Sequence, residues 1–182
     1  VPNGFAFQAL EFVGSVLYGV GVAGPCAPSS LYTIDVNIGA TTLIGPTGLG
    51  PVSGMVYDPG NQTMYGVTGC WQQFGSSKLV AISLTTGAAV VIGDTGRTTL
   101  GGLAFGPDGS LYAIGNSQDG GNFYRINPAN GSSALVGPTG FPGFSGLTLA
   151  GSGFPSVQAY WTTIDTCQVP VPWQFWQPLE GG

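Results

Sequence analysis

The sequence predicts an all-β protein, an array of four-stranded antiparallel sheets with three clear copies and a degenerate fourth. Three observations predict it. First, phrases recur with a period of about 47 residues: Leu17-Tyr18-Gly19-Val20, Met64-Tyr65-Gly66-Val67 and Leu111-Tyr112-Ala113-Ile114. In step with them run Leu31-Tyr32-Thr33-Ile34-Asp35, Leu79-Val80-Ala81-Ile82-Ser83 and Phe123-Tyr124-Arg125-Ile126-Asn127, then Gly45-Pro46-Thr47-Gly48, Gly93-Asp94-Thr95-Gly96 and Gly137-Pro138-Thr139-Gly140. A repeat of this length, made of short alternating apolar segments, is one small sheet used several times. Second, the segments are rich in Val, Ile, Leu, Tyr and Thr, and their connections carry Asp-Gly, Pro-Gly, Thr-Gly and Asn-Gly turn pairs. Third, 33 Gly and 14 Pro, with no sustained helical periodicity, argue against helices.

Each repeat reads as strands A to D. In the first repeat, strand A comes from the irregular segment Phe5–Phe12, followed by B at Val16–Val20, C at Leu31–Val36 and D at Thr41–Ile44. In the second, A is Val52–Tyr57, closed by Asp58-Pro59-Gly60-Asn61; B is Met64–Val67; C is Lys78–Leu84; and D is Ala88–Ile92. A longer loop between B and C holds Cys70, Trp71 and Phe74. The third repeat runs Leu100–Phe105, Ser110–Ile114, Asn122–Asn127 and Ser133–Val136. Phe144–Ala150 aligns with strand A, so a fourth unit begins, Tyr160–Asp165 faintly echoes strand C, and the tail Val169–Leu179 alternates Pro with Trp and Phe. The whole chain, 1–182, is expected to be one domain, with repeats at about 5–48, 49–96 and 97–140 and a degenerate unit with an extended tail over 141–182.

Charged residues make up only 6% of the 182 residues, and the net charge is −5, against a usual charged share of about 25%. The three basic residues, Lys78, Arg97 and Arg125, are too few to neutralise a run of phosphates or to hold an anionic membrane. No apolar run reaches the length of about 20 residues that spans a bilayer. A surface so poor in charge has little repulsion to keep copies apart. The lack of an initiator Met and of a basic-then-apolar leader reads as a mature secreted chain.

Cys26 and Cys70 occupy corresponding B–C loops, and Cys167 lies in the tail. A Cys26–Cys70 bridge, a bridge from Cys167 to either, and three reduced thiols all remain open. No Cys-x-x-Cys spacing and no His are present, which argues against zinc or haem. Asn61-Gln62-Thr63 and Asn130-Gly131-Ser132 are glycosylation triplets in turns, making Asn61 and Asn130 candidate sites.

The stretch Gly102–Ile114, Gly-Leu-Ala-Phe-Gly-Pro-Asp-Gly-Ser-Leu-Tyr-Ala-Ile, resembles the blade of secreted bacterial β-propeller repeats. There an innermost strand ends in an Asp-Pro-type turn and leads into a Leu-Tyr strand; the Thr-Gly turn and Gly-Pro-Thr-Gly corner are similar too. The resemblance covers about residues 14–150 and implies a propeller-like array of blades, a surface association and no particular activity. Propellers close with four to eight blades, so three clear copies leave a ring short. Either the terminal segments complete a fourth blade, or another copy fills the gap. Phe5, Phe7, Ala9 and Leu10 mark a nearly uncharged extended segment that could be donated to a sister chain or form the first strand of its own sheet.

No catalytic group emerges. The carboxylates Glu11, Asp35, Asp58, Asp94, Asp108, Asp119, Asp165 and Glu180 fall mostly in turns, where Asp bonds backbone N–H groups. No catalytic residue, cofactor or metal is therefore expected. The aromatics Trp71, Phe74, Trp161, Trp173, Phe175 and Trp176 are the candidates for stacking on sugars or anchoring an interface. The expected function is a non-enzymatic extracellular structural subunit that self-assembles into a fibre or surface layer. The alternative is a monomeric secreted propeller binding a neutral ligand such as a glycan through the loop aromatics.

Overall fold

The computed structural model describes residues 5–24, 26–69, 75–141, 143–144 and 146–148. Among these residues, twelve strands form three four-stranded antiparallel sheets, each a meander in chain order. The first holds β1 (Ala6–Val13), β2 (Val16–Val22), β3 (Ser29–Ile34) and β4 (Thr41–Pro46). The second holds β5 (Val52–Asp58), β6 (Thr63–Thr68), β7 (Lys78–Ile82) and β8 (Ala89–Asp94). The third holds β9 (Leu100–Phe105), β10 (Leu111–Gly115), β11 (Asn122–Ile126) and β12 (Ser133–Pro138). The only helix among the described residues is a 3-10 turn, Ser117–Asp119. Asn116 caps it, its side chain accepting the Gln118 N–H at 2.9 Å.

The sheets stand side by side, with β5 packing against both β1 and β9. The core therefore lies between sheets, because a single blade cannot bury both faces. Val20, Leu31, Val52, Met55, Met64 and Val80 fill the first junction. Tyr65, Val67, Leu79, Leu100, Leu103 and Tyr124 fill the second. Close approach of the inner strands needs small residues. A Cβ on Gly54 would stand 2.8 Å from the Gly102 Cα, and one on Gly102 would stand 2.7 Å from the backbone N of Leu147. Residues 146–148 thus lie on β9 much as β9 lies on β5.

The elements differ from expectation at their ends. The D strands run on through the Gly-Pro corner: Pro46 pairs with Ser30 and Pro138 with Asn122. Proline is tolerated there because these are edge strands, where its missing N–H breaks no ladder. The C strands stop earlier, at Ile34, Ile82 and Ile126, because Asp35, Ser83 and Asn127 start the turns to strand D.

The segment marked by Phe5, Phe7, Ala9 and Leu10 takes the second of its two expected places. It leads into and forms β1, paired with β2 of its own sheet. Two glycines seat it: a Cβ on Gly21 would meet the Phe5 ring at 2.0 Å, and one on Gly19 would meet the Phe7 ring at 2.8 Å. Phe5 and Phe7 also pack edge-on against Tyr32, at 5.3 and 5.8 Å between centroids.

Candidate functional site

The recurring Gly-x-Thr-Gly corner is the joint of the array. In each sheet the threonine hydroxyl turns inward and donates to a backbone carbonyl: Thr47 to Ser29 at 2.9 Å, Thr95 to Ser77 at 2.7 Å and Thr139 to Gly121 at 2.5 Å. The same oxygens accept the N–H groups of Leu49, Arg97 and Phe141, each at 3.3 Å. Thr47 and Thr95 are buried. The phrase was plain in the sequence; that its threonine is a buried lock was not.

On this corner sits the C–D turn of the next sheet. A Cβ on Gly45 would stand 2.2 Å from the Thr86 carbonyl oxygen, and one on Gly93 would stand 1.8 Å from the Asn130 carbonyl oxygen. The Ala89 N–H donates to the Thr47 carbonyl at 2.9 Å. At the next junction the Ser133 hydroxyl donates to the Thr95 carbonyl at 2.7 Å, and Arg97 Nε donates to that hydroxyl at 2.8 Å. The Arg97 guanidinium lies over the Tyr124 ring, 4.4 Å from its centroid. Burial pushes the Tyr124 hydroxyl pKa up. Sequence reasoning counted Arg97 only as a scarce cation.

Asp35, Asp58, Asp94 and Asp108 are engaged close to their own turns, whereas Asp119 accepts the Thr98 hydroxyl at 3.5 Å with one oxygen and leaves the other buried without a hydrogen bond among the described residues. Asp58 accepts the Gly60 N–H at 2.8 Å and the Asn61 amide at 2.8 Å. Asp108 accepts the Ser110 N–H at 3.0 Å and the Tyr112 hydroxyl at 3.0 Å, and these bonds, led by that of Ser110, hold its pKa low. Asp35 accepts the Asn37 N–H at 2.8 Å. The Lys78 ammonium pairs with Asp94 and, with Ser76 and Gly96 also donating, lowers its pKa to about 2. Glu11 differs: half-buried, its pKa is raised by burial, which outweighs the N–H it accepts from Tyr57. Among the described residues, no three His, Cys, Asp or Glu side chains gather where they could hold a metal. Among them, too, no helix is long and apolar enough to cross a membrane.

The third sheet's outer face carries an apolar cleft of about 320 Å³, lined by Phe105, Pro107, Tyr112, Phe123, Val136 and Leu147 among others. Tyr112 and Phe123 stack in it at 5.1 Å. The equivalent Tyr65 is buried under Phe105 of the next sheet.

The proposed aromatics Trp71, Phe74, Trp161, Trp173, Phe175 and Trp176, and the cysteines Cys70 and Cys167, lie outside the described residues. Cys26 sits in the β2–β3 loop at φ 57°. Asn61 and Asn130 are exposed in turns, the second beside the Gly93 joint.

No protein-family model matches the sequence, and no curated protein sequence does. Solved structures do match. The chain is similar to a luciferin-regenerating enzyme, with a TM-score of 0.59 and 11% identity over 81% of this chain and 51% of that one. It is similar to the hydrazine synthase of Kuenenia stuttgartiensis, with a TM-score of 0.50 and 19% identity over 72% of this chain and 37% of that one. It is also similar to a chain of a nidogen/laminin complex, with a TM-score of 0.49 and 16% identity over 81% of this chain and 70% of that one. The chain thus spans about half the length of the first and just over a third of the second. At these identities the likeness is one of fold, which enzymes carry too. The chain is an all-β protein built of propeller-type blades.

Proposed function

We propose that this chain is a non-enzymatic extracellular structural subunit that self-assembles into a fibre or surface layer. One observation carries it. Each sheet ends in an outer strand that sets a large apolar side chain outward at the same position: Leu43, Val91 and Leu135, with 58%, 46% and 56% of their surface exposed. These three pair with Tyr32, Val80 and Tyr124, so the position is structurally equivalent in every blade. Strands β4 and β12 carry no charge, and β8 carries only Asp94 at its end. Natural edge strands are blunted by charge, proline or bulges; here Pro46, Pro138 and one irregular step per C–D pair do so, and the exposed apolar side chains beside them still offer a surface for association.

Scarce charge over the whole chain supports the same assignment. A disulfide at Cys26 fits the oxidising extracellular setting of this assignment. Catalysis is left out because Asp35, Asp58 and Asp108 are engaged in turns and Asp94 with Lys78. Negative-stain imaging and sedimentation of the native 182-residue chain test the proposal. Assemblies that grow with concentration, and that disperse when Leu43, Val91 and Leu135 are all changed to Lys, are expected. Isolated single-chain particles at high concentration would overturn it.

A second assignment, binding of a neutral ligand such as a glycan, is favoured by the apolar cleft with its stacked Tyr112–Phe123 pair. A glycan-array signal lost in both Tyr112→Ala and Trp71→Ala would move the assignment there.

A further inference from the structure

We infer that Asn130 is a spontaneous deamidation site, and that the joint between the second and third sheets gates the reaction. This does not depend on self-assembly.

The chemistry needs an asparagine and the backbone nitrogen that follows it. That nitrogen gives up its proton and attacks the side-chain Cγ. A bond from nitrogen to Cγ forms, the bond from Cγ to Nδ2 breaks, and Nδ2 leaves with the proton as ammonia. Water then opens the succinimide ring at either carbonyl, giving aspartate or isoaspartate. Glycine in the following place helps most, because it has no Cβ to shield its nitrogen. Among the described residues, Asn130 is the only asparagine that glycine follows. Ile38 and Thr86 hold the matching places in the other two C–D turns and carry no amide side chain.

Both reacting groups are in place, one activated and the other restrained. Asn130 Oδ1 accepts the Ser132 N–H at 3.0 Å and the Ser132 hydroxyl at 2.8 Å. Two donors on that oxygen draw electron density from Cγ and open it to attack. The Gly131 N–H, however, donates to the Asn127 carbonyl at 2.8 Å. While that bond holds, the proton that must leave is tied down, as in amides protected from hydrogen exchange. The Asn127 N–H in turn donates to the Ser132 carbonyl at 2.8 Å, and the Ala129 N–H to Asn127 Oδ1 at 2.9 Å.

Seating on the second sheet holds this turn shut. The Asn130 carbonyl oxygen lies 1.8 Å from where a Cβ on Gly93 would stand, and a Cβ on Gly131 would meet the Gly93 carbonyl carbon at 2.7 Å. Beside it, the Ser133 hydroxyl donates to the Thr95 carbonyl at 2.7 Å and accepts from Arg97 Nε at 2.8 Å. The turn must lift off Gly93 before the bond from Gly131 to Asn127 can open. Isoaspartate would then route the main chain through an extra carbon, at the residue whose carbonyl touches Gly93, and add a negative charge. A close-packed seat has no room for either, so the conversion loosens the joint and, with ammonia lost, does not reverse.

Peptide mapping by mass spectrometry tests this on the full 182-residue chain, bacterially expressed and incubated at mildly alkaline pH. Asn130 should convert at least about tenfold more slowly in the folded chain than in the same chain held in urea, the factor that 1.4 kcal/mol of opening free energy gives. Gly93→Ala crowds the corner under Asn130, and Gly45→Ala crowds the equivalent corner of the first sheet. Gly93→Ala should speed conversion about tenfold, because the rate follows the open population, and Gly45→Ala should change it less than about twofold. Should Gly93→Ala fail to fold, Arg97→Ala, which removes the tie to Ser133, should accelerate conversion in its place. Chains aged to partial conversion should melt below fresh ones. Equal acceleration by Gly93→Ala and Gly45→Ala would mean that unfolding of the whole chain, not the joint, gates the site. That result, equal rates in the folded chain and in urea, or an unchanged melt after conversion would overturn the inference.

Discussion

Tyr57 donates its backbone N–H to the Glu11 carboxylate at 3.0 Å, across the junction between the first and second sheets. Burial nonetheless raises the pKa of Glu11 above 4.5. A raised carboxyl pKa means the folded state holds its proton longer than the unfolded chain does. The stability this contributes is present below pH 4.5 and is lost as pH rises through the folded value. Glu11→Gln keeps an acceptor for Tyr57 and removes the charge. Melting temperatures of the two proteins should diverge between about pH 4 and pH 7, the variant gaining relative to the parent as pH rises. A constant difference over that range would refute this.

Asp94 has the opposite sign. Its pKa of about 2 lies below the ordinary 3.8, so its contribution is present above 3.8 and is lost as pH falls through 2. Asp94→Asn should therefore flatten acid-induced loss of stability in that window. The effect should be small and should shrink in salt, because the Asp94 side chain is half exposed.

Thr95→Val keeps shape but removes the hydroxyl that donates to Ser77 and accepts from Arg97. In a buried site this should cost about 1–2 kcal/mol, read as a drop of several degrees in melting temperature. Thr95→Ser, which keeps the hydroxyl, should recover most of it.

Gly93 and Gly137 occupy the same place in successive sheets but have different neighbours. Gly93→Ala puts a Cβ into the Asn130 carbonyl and should destabilise the fold by about 1–3 kcal/mol, as overpacking does. Gly137→Ala should leave the melt unchanged. Equal effects in denaturant titrations would refute the seating of the turn on the corner.

Arg97→Ala removes both the stack on Tyr124 and the bond to Ser133. A loss of about 1–2 kcal/mol is expected, with Lys recovering only part, since it has no planar fork to lie flat on the ring. Full recovery by Arg97→Lys in the same melts would count against the stacked geometry.

Local pattern made the strands legible. Leu100–Phe105 is a short apolar run that ends in a Pro-Asp-Gly turn, and β9 has those same bounds. The periodic phrases likewise placed every sheet. What escaped were relationships between residues distant in sequence. Glu11 meets its partner 46 residues on, and nothing local to Glu11 tells that it is half-buried. The close approach of Gly54 to Gly102 is invisible until two strands are set side by side; in sequence they are two glycines among 33. Phe5–Phe12 looked irregular because the other repeats have no aromatics where Phe5 and Phe7 stand; Gly21 and Gly19 provide the room those two occupy. The aromatic candidates of the tail and the Trp71 loop were legible only as composition, since no repeated phrase sets their surroundings.

The turn-on-corner joint has one more consequence. The close contacts at its glycines are backbone on both faces, and the middle sheet carries one face at each end. A duplicated stretch of about residues 49–96, spliced in after itself, would find a matching backbone joint on either side. Length in such a chain is set by how many times a gene segment is copied, and a lineage could lengthen or shorten the molecule in whole modules.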